Sequence, residues 1–144
     1  MKVRRALPAD AAALAALECR QPRAAGWGEK GFATELAQPC AYIWCAQEQG
    51  EILGFLALRC AAGCAEILNV AVAPHRTRQG IGRALLRQAF AALRAQAAEQ
   101  VSLEVAQDNV PAQALYARAG LKPLGRRKDF YGPGCDGLVM GMNL

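Results

Sequence analysis

The residues best placed to do chemistry lie in Arg78-Gln79-Gly80-Ile81-Gly82-Arg83. Two glycines two positions apart let the backbone approach a ligand closely. The segment follows a strand-like pattern and opens a helical one, so the helix start offers unpaired N–H groups and the positive end of its dipole. That arrangement binds phosphate. It is not the dinucleotide fingerprint, because Leu85 stands where G-x-G-x-x-G needs its third glycine. Nor is it a P-loop, which needs a Gly-Lys-Ser/Thr end. Scarcity limits other chemistries. The chain has one histidine, His75, and one serine, Ser102, so a Ser–His–Asp triad would have to use that pair. A His-rich metal site is impossible. The cysteines at 19, 40, 45, 60, 64 and 135 form no paired C-x-x-C repeat. They read as free thiols acting as small apolar residues in a reducing cytosol, and no metal is expected.

Elements must position these residues, and the patterning supplies them. A short strand is expected over 2–6, a helix over 10–19 capped by Asp10, and a loop over 21–28 that contains Pro22. A second short helix over 29–36 carries Phe32 and Leu36 at i, i+4. Strands over 41–47 and 51–59 flank a tight turn at Gln49-Gly50 and should form an antiparallel hairpin. The strand over 64–73 has an apolar run at 67–72 that suits burial on both faces, as in a sheet centre. The helix after the glycine loop runs to about Gln96, with Ile81, Leu85, Ala89 and Leu93 on one face and Arg83, Arg87 and Arg94 elsewhere. In the strand over 100–105, Val101, Leu103 and Val105 alternate with Ser102 and Glu104. Asn109 can cap a helix to about Ala119, with Pro111 in its first turn and Gly120 at its stop. Strands over 122–129 and 137–143 close the chain. The order describes an α/β protein with a mixed sheet.

The 144 residues suit one domain, able to bury roughly 68–70% of its unfolded surface. The 53% hydrophobic content is inflated by 31 alanines, yet Leu, Ile, Val and aromatics suffice for one core. Seventeen basic against twelve acidic residues give +5, enough to attract an anionic ligand. That charge is diffuse and lacks an aromatic-interleaved basic platform, so no nucleic-acid role is expected. The apolar run 11–17 is bracketed by Pro8, Asp10 and Glu18, which reads as a capped helix and not a signal peptide. Arg59 and Glu66 interrupt the best candidate for a membrane span, so no membrane role is expected.

Two further segments extend the glycine loop. Glu66-Ile-Leu-Asn-Val-Ala-Val-Ala-Pro74 runs directly into it, and Leu103-Glu-Val, Asn109, Leu115-Tyr116 and Gly120-Leu121 follow at fixed spacing. Together these resemble the GNAT family of acetyl-CoA-dependent N-acetyltransferases. ILNVAV, RQGIGRALL, LEV, the Asn-to-Leu-Tyr spacing and GRRKDFY are similar to its ribosomal-protein-alanine (RimI-type) branch. The likeness covers nearly the whole chain, including Trp27-Gly-Glu-Lys-x-Phe32. It implies one mixed, mostly antiparallel sheet of about seven strands with about four helices, its central strands splayed to admit acetyl-CoA.

The resemblance also implies roles. The backbone of Val70, Ala71 and Val72 would pair with the pantetheine arm, the amides of Arg78–Arg83 would hold the pyrophosphate, and Asn109 would touch the cofactor. Glu104 would be the general base and Tyr116 the general acid; on chemical grounds a main-chain N–H near Val72 could serve as oxyanion donor. Acetyl transfer needs such a pair, because the amine must lose a proton and the thiolate gains from one. The substrate would be a protein N-terminal peptide, most simply an Ala-starting ribosomal protein, handled by a cytoplasmic monomer. An α-amine titrates near 7.7–8.0 and Lys near 10.4, which favours the former without excluding Lys. A GNAT acting on a small amine and a non-catalytic CoA-binding module remain alternatives. Three departures stand out: Thr77 where Gln or Arg is usual, Asp129-Phe130 where the branch has Asn-Tyr, and Gly28 in place of a helix-capping Ser. Asn69 could serve function or only satisfy backbone groups. Arg126-Arg127-Lys128 would border the peptide side.

Overall fold

The computed structural model describes residues 1–21 and 25–144; Pro22 of the expected loop lies outside the described residues. The chain runs β1 (Lys2–Arg5), α1 (Ala11–Glu18), α2 (Gly28–Leu36), β2 (Ala41–Glu48), β3 (Glu51–Ala61), β4 (Cys64–Val72), α3 (Ile81–Ala95), β5 (Gln100–Ala106), α4 (Val110–Arg118), β6 (Lys122–Arg127) and β7 (Gly137–Asn143). One sheet holds the strands in the order β1-β2-β3-β4-β5-β7-β6. Only β4 and β5 pair in parallel, joined by the α3 crossover. The β2–β3 turn has Gln49 and Gly50 both at positive φ, the backbone twist that a two-residue hairpin prefers. The last hairpin differs from the expectation: β6 stops at Arg127, because Asp129 turns the chain at φ 55°. β7 then inserts between β5 and β6.

The two faces carry separate cores. Ile81, Leu85, Ala89 and Leu93 of α3 are buried with Tyr116 of α4 against one face, while Arg83, Arg87 and Arg94 stay exposed. Leu14 and Leu17 of α1 and Phe32 of α2 cover the other, where the Phe32 ring stands edge-on to both Trp27 and Phe55 at 5.2 Å. Burial in β4 alternates: Ala65, Ile67, Asn69 and Ala71 are buried, while Leu68, Val70 and Val72 are half-buried, so the apolar run is covered only in part on its second side. Ala65 and Ile67 of β4 belong to the first core, whereas Ala71 belongs to the second. The register explains the switch. Ala57 pairs with Asn69 and Leu58 with Ile67, so Leu68 is an extra residue without a partner in β3. Such a bulge reverses the facing of everything beyond it and bends the strand.

Asp10 does not cap α1 with its side chain. Its carboxylate instead accepts from both terminal nitrogens of Arg4, at 2.9 and 3.0 Å, and from the Leu7 N–H at 2.7 Å. That bond to Arg4 holds the Asp10 carboxyl below its usual range. Asn109 does cap α4, accepting from the Ala112 N–H at 3.3 Å. The six thiols are unpaired, but only Cys45 and Cys135 are buried, so the apolar-filler expectation holds for those two. Among the described residues no helix is long and apolar enough to cross a membrane.

The start of α2 depends on a residue from α1. Glu18 is only 3% exposed, and its carboxylate accepts from the N–H of Trp27 at 3.0 Å and of Gly28 at 3.1 Å. It supplies the cap that Gly28 lacks. The Asn69 carboxamide donates to it at 2.7 Å from β4, so Asn69 serves to tie α1 to the sheet. Glu18→Ala strands three donors, each worth about 1–3 kcal/mol when buried and unpaired. We expect denaturant unfolding to show a loss of at least about 3 kcal/mol. Glu18→Gln, which keeps one acceptor oxygen, should lose less; parental stability in Glu18→Ala would remove the carboxylate from this role.

Candidate active site

Beyond the bulge, β4 and β5 part. Their parallel ladder runs from Cys64↔Gln100 to Ile67↔Leu103 and ends there, although β4 continues to Val72 and β5 to Ala106. The Ala73 N–H donates to the Leu53 carbonyl at 2.7 Å, so the odd-numbered residues of this stretch turn their backbone groups to β3. Ala71 is therefore committed to β3, a correction to its expected place beside Val70 and Val72. The N–H and C=O of Val70 and Val72 turn the other way, into the gap. One group there already has a partner: the Val72 carbonyl accepts from the Gln21 carboxamide at 2.8 Å.

The glycine loop stands at the end of this gap. Gly80 is left-handed at φ 80°, and no atom lies within 4 Å of where its Cβ would stand, so conformation explains that glycine. Gly82 has a different reason. A Cβ there would meet Leu115 Cδ2 at 2.8 Å, so Gly82 lets the first turn of α3 pack against α4. The first helical bond of α3 closes from the Ala84 N–H to the Gly80 carbonyl at 2.9 Å. The N–H groups of Ile81, Gly82 and Arg83 precede that ladder and suit an anion. Arg78 and Gln79 are exposed ahead of them, with Arg78 also at positive φ. Arg76 braces the loop from outside, donating to Glu48 Oε2 at 2.7 Å and to Gln79 Oε1 at 2.6 Å, and it holds the Glu48 carboxyl below its usual range. Thr77 only bonds its own turn, from Oγ1 to the Pro74 carbonyl at 3.3 Å.

Glu104 and Tyr116 lie on opposite faces of the sheet. Val101, Leu103 and Val105 belong to the core under α3 and α4, which leaves Glu104 on the α1–α2 side of β5. Tyr116 sits in the α3–α4 core, 7% exposed. Burial first, and neighbouring Tyr131 second, push its hydroxyl up to about 12. Tyr131 lies between the two, since its hydroxyl donates to the Glu104 backbone carbonyl at 3.3 Å. The Glu104 carboxylate is itself divided. Oε1 lies 3.0 Å from Arg127 Nε, while Oε2 is buried with no hydrogen-bond partner among the described residues. Sequence reasoning left Arg127 at the border of the site. Its only local signal was the basic run after β6, which does not say which arginine faces Glu104. Among the described residues no group of three His, Cys, Asp or Glu is arranged to hold a metal.

These features define an acyl-transfer fold, and the chain belongs to the acetyltransferase (GNAT) family, whose model matches residues 11–121. It is 32% identical over 120 residues (82% of this chain, 80% of the other) to a Bacillus subtilis (strain 168) protein provisionally named a ribosomal protein bS18-alanine N-acetyltransferase. It is likewise 32% identical over 111 residues (77% and 74%) to the ribosomal protein bS18-alanine N-acetyltransferase of Escherichia coli (strain K12). The crystal structure of the ribosomal-protein-S18-alanine N-acetyltransferase from Escherichia coli matches with a TM-score of 0.88 and 26% identity, covering 99% of this chain and 92% of that one. The protein is an acyltransferase. Acetyl-CoA is the cosubstrate of its family, and the open edge of β4 and the free amides at the start of α3 fit an amide-bearing arm and a pyrophosphate.

The buried tyrosine has a pH signature. Tyr116 titrates near 10.0 when unfolded and near 12 when folded, so the folded state holds its proton more tightly. Its contribution to stability is complete below the unfolded value and disappears as pH rises through the folded one. We expect Tyr116→Phe to flatten the alkaline fall in thermal midpoint over that window; an unchanged fall would mean that Tyr116 is not the group responsible.

Proposed function

We propose that the protein transfers the acetyl group of acetyl-CoA to the N-terminal α-amine of a ribosomal protein that begins with alanine. The reading takes residues 1–144 as one acetyltransferase domain acting as a cytoplasmic monomer. The observation that carries it is the unpartnered, buried Oε2 of Glu104 beside the parted strands. A buried carboxylate oxygen without a donor is costly, so such an atom suits an incoming N–H. Supporting the substrate class are the two relatives of 32% identity, both carrying that activity in their names.

In this mechanism the amine loses one proton to Glu104 Oε2 as its lone pair attacks the thioester carbon. The carbonyl oxygen gathers charge against the Val72 N–H, which strand alternation turns into the gap. The C–S bond then breaks, and Tyr116 gives its proton to the departing thiolate. Tyr116 holds that proton throughout the physiological range, because burial raises its titration to about 12. Both transfers occur in one ternary complex, with no covalent intermediate on the protein. Pyrophosphate would rest on the amides of Arg78 to Arg83, and Asn109, whose Oδ1 already caps α4, would offer its amide nitrogen to the cofactor.

Two measurements test the reading. Glu104→Gln keeps the shape but cannot take the proton, so turnover should fall roughly 10²–10⁴-fold while acetyl-CoA affinity holds. Near-parental turnover would remove Glu104 as the base. Separately, acetyl-CoA and a peptide library varied at the first two residues, read by mass spectrometry, should yield α-acetylation of Ala-starting peptides. Exclusive acetylation of Lys or of small amines would sink the substrate assignment.

A further inference from the structure

We propose that Arg127 is a positioning residue for acetyl transfer: by holding Oε1 of Glu104 it keeps Oε2 turned to the acceptor amine. The inference rests on Glu104 being the base. A glutamate side chain on an open strand has three rotatable bonds and a carboxylate that turns broadly about its last one. Left alone, it would spread over several orientations, with either oxygen serving in turn. In the structure the two oxygens are unequal: one pairs with Arg127 Nε at 3.0 Å and the other is buried, with no hydrogen-bond partner among the described residues.

The route that Arg127 takes argues against a chance surface pair. β7 lies between β6 and β5, so Arg127 must reach across a strand. It does so beside Gly137, its register partner, which carries no side chain of its own. Phe130 occupies the space that a side chain at Gly137 would fill, its Cβ 3.1 Å from that position. The Arg127 guanidinium lies over the Phe130 ring, 5.7 Å from its centroid. Glycine, aromatic ring and arginine together carry the charge to Glu104. Arg126, one residue earlier, faces the other way along the strand and pairs with Asp136 at 2.9 Å, closing the β6–β7 loop. The two consecutive arginines thus have separate jobs. Exposed ion pairs contribute little to stability, and the Arg127 side chain is 61% exposed, so a purely structural role predicts a small effect of any kind.

The test compares Arg127→Met, which keeps the aliphatic stem over Phe130, with Arg127→Lys and with Arg127→Met in a Glu104→Gln background. Arg127→Met should lower kcat about 10²-fold, the order expected when a reacting group is misplaced by about an ångström. KM for acetyl-CoA and the thermal midpoint should stay parental. Arg127→Lys should restore part of the rate, and added methylguanidine should raise the rate of Arg127→Met with saturation. In the Glu104→Gln background, Arg127→Met should cost nothing further. Parental kcat in Arg127→Met, a loss that follows the thermal midpoint, or an undiminished loss in the Glu104→Gln background would each overturn the proposal. Near-parental turnover in Glu104→Gln alone would overturn the base assignment first. A slow Glu104→Gln beside a fast Arg127→Met would overturn only the role of Arg127.

Discussion

The site depends on one extra residue in a central strand. Leu68 has no partner in β3, and the β4–β5 ladder ends one residue before it. A bulge bends and twists its strand, and here it does so where the neighbour is a parallel strand, whose pairing is already the weaker kind. The consequence is a sheet that is continuous at one end and open at the other. Backbone groups of Val70 and Val72 lose their strand partner without losing the support of β3. The same bulge sends Asn69 and Ala71 to the α1–α2 face and Val70 and Val72 to the α3–α4 face.

An open sheet needs bracing. Two side chains after and within α1 reach the part of β4 that has left β5: Glu18 through Asn69, and Gln21 through the Val72 carbonyl. Glu18 fixes the start of α2 with the same carboxylate. On the far side, Gly82 allows α3 and α4 to meet at Leu115, so the amides at the start of α3 and the tyrosine of α4 belong to one packed unit. Arg76 holds the intervening loop to the end of β2 through Glu48.

Electrostatics then separates the two groups suited to proton transfer. Glu104 stands on the α1–α2 side in an arginine's reach, whereas Tyr116 is sealed in the apolar core of the other face. Desolvation favours the neutral phenol of Tyr116. In the proposed mechanism both would meet one reacting centre through the opening between β4 and β5.

The sequence alone determined the strands and helices, the hairpin turn at Gln49-Gly50, the Asn109 cap and the buried face of α3, because these follow from periods of 2 and 3.6 residues and from local turn chemistry. The glycine loop was legible through spacing as well, whereas the roles expected of Glu104 and Tyr116 came from the family resemblance. Only the tertiary structure decided which partners those residues have. Asp10 bonds Arg4 rather than its own helix, Glu18 finds Asn69 across 51 positions, and Arg127 reaches Glu104 over a strand inserted out of sequence order. Gly82 is small for Leu115, a contact invisible in a motif that reads as a phosphate cradle. Ala71 turns away from the gap through strand alternation, which a list of neighbouring residues does not record. Local patterns fix the direction of a side chain within its own element; the distance to a partner elsewhere in the chain exists only after the elements have packed.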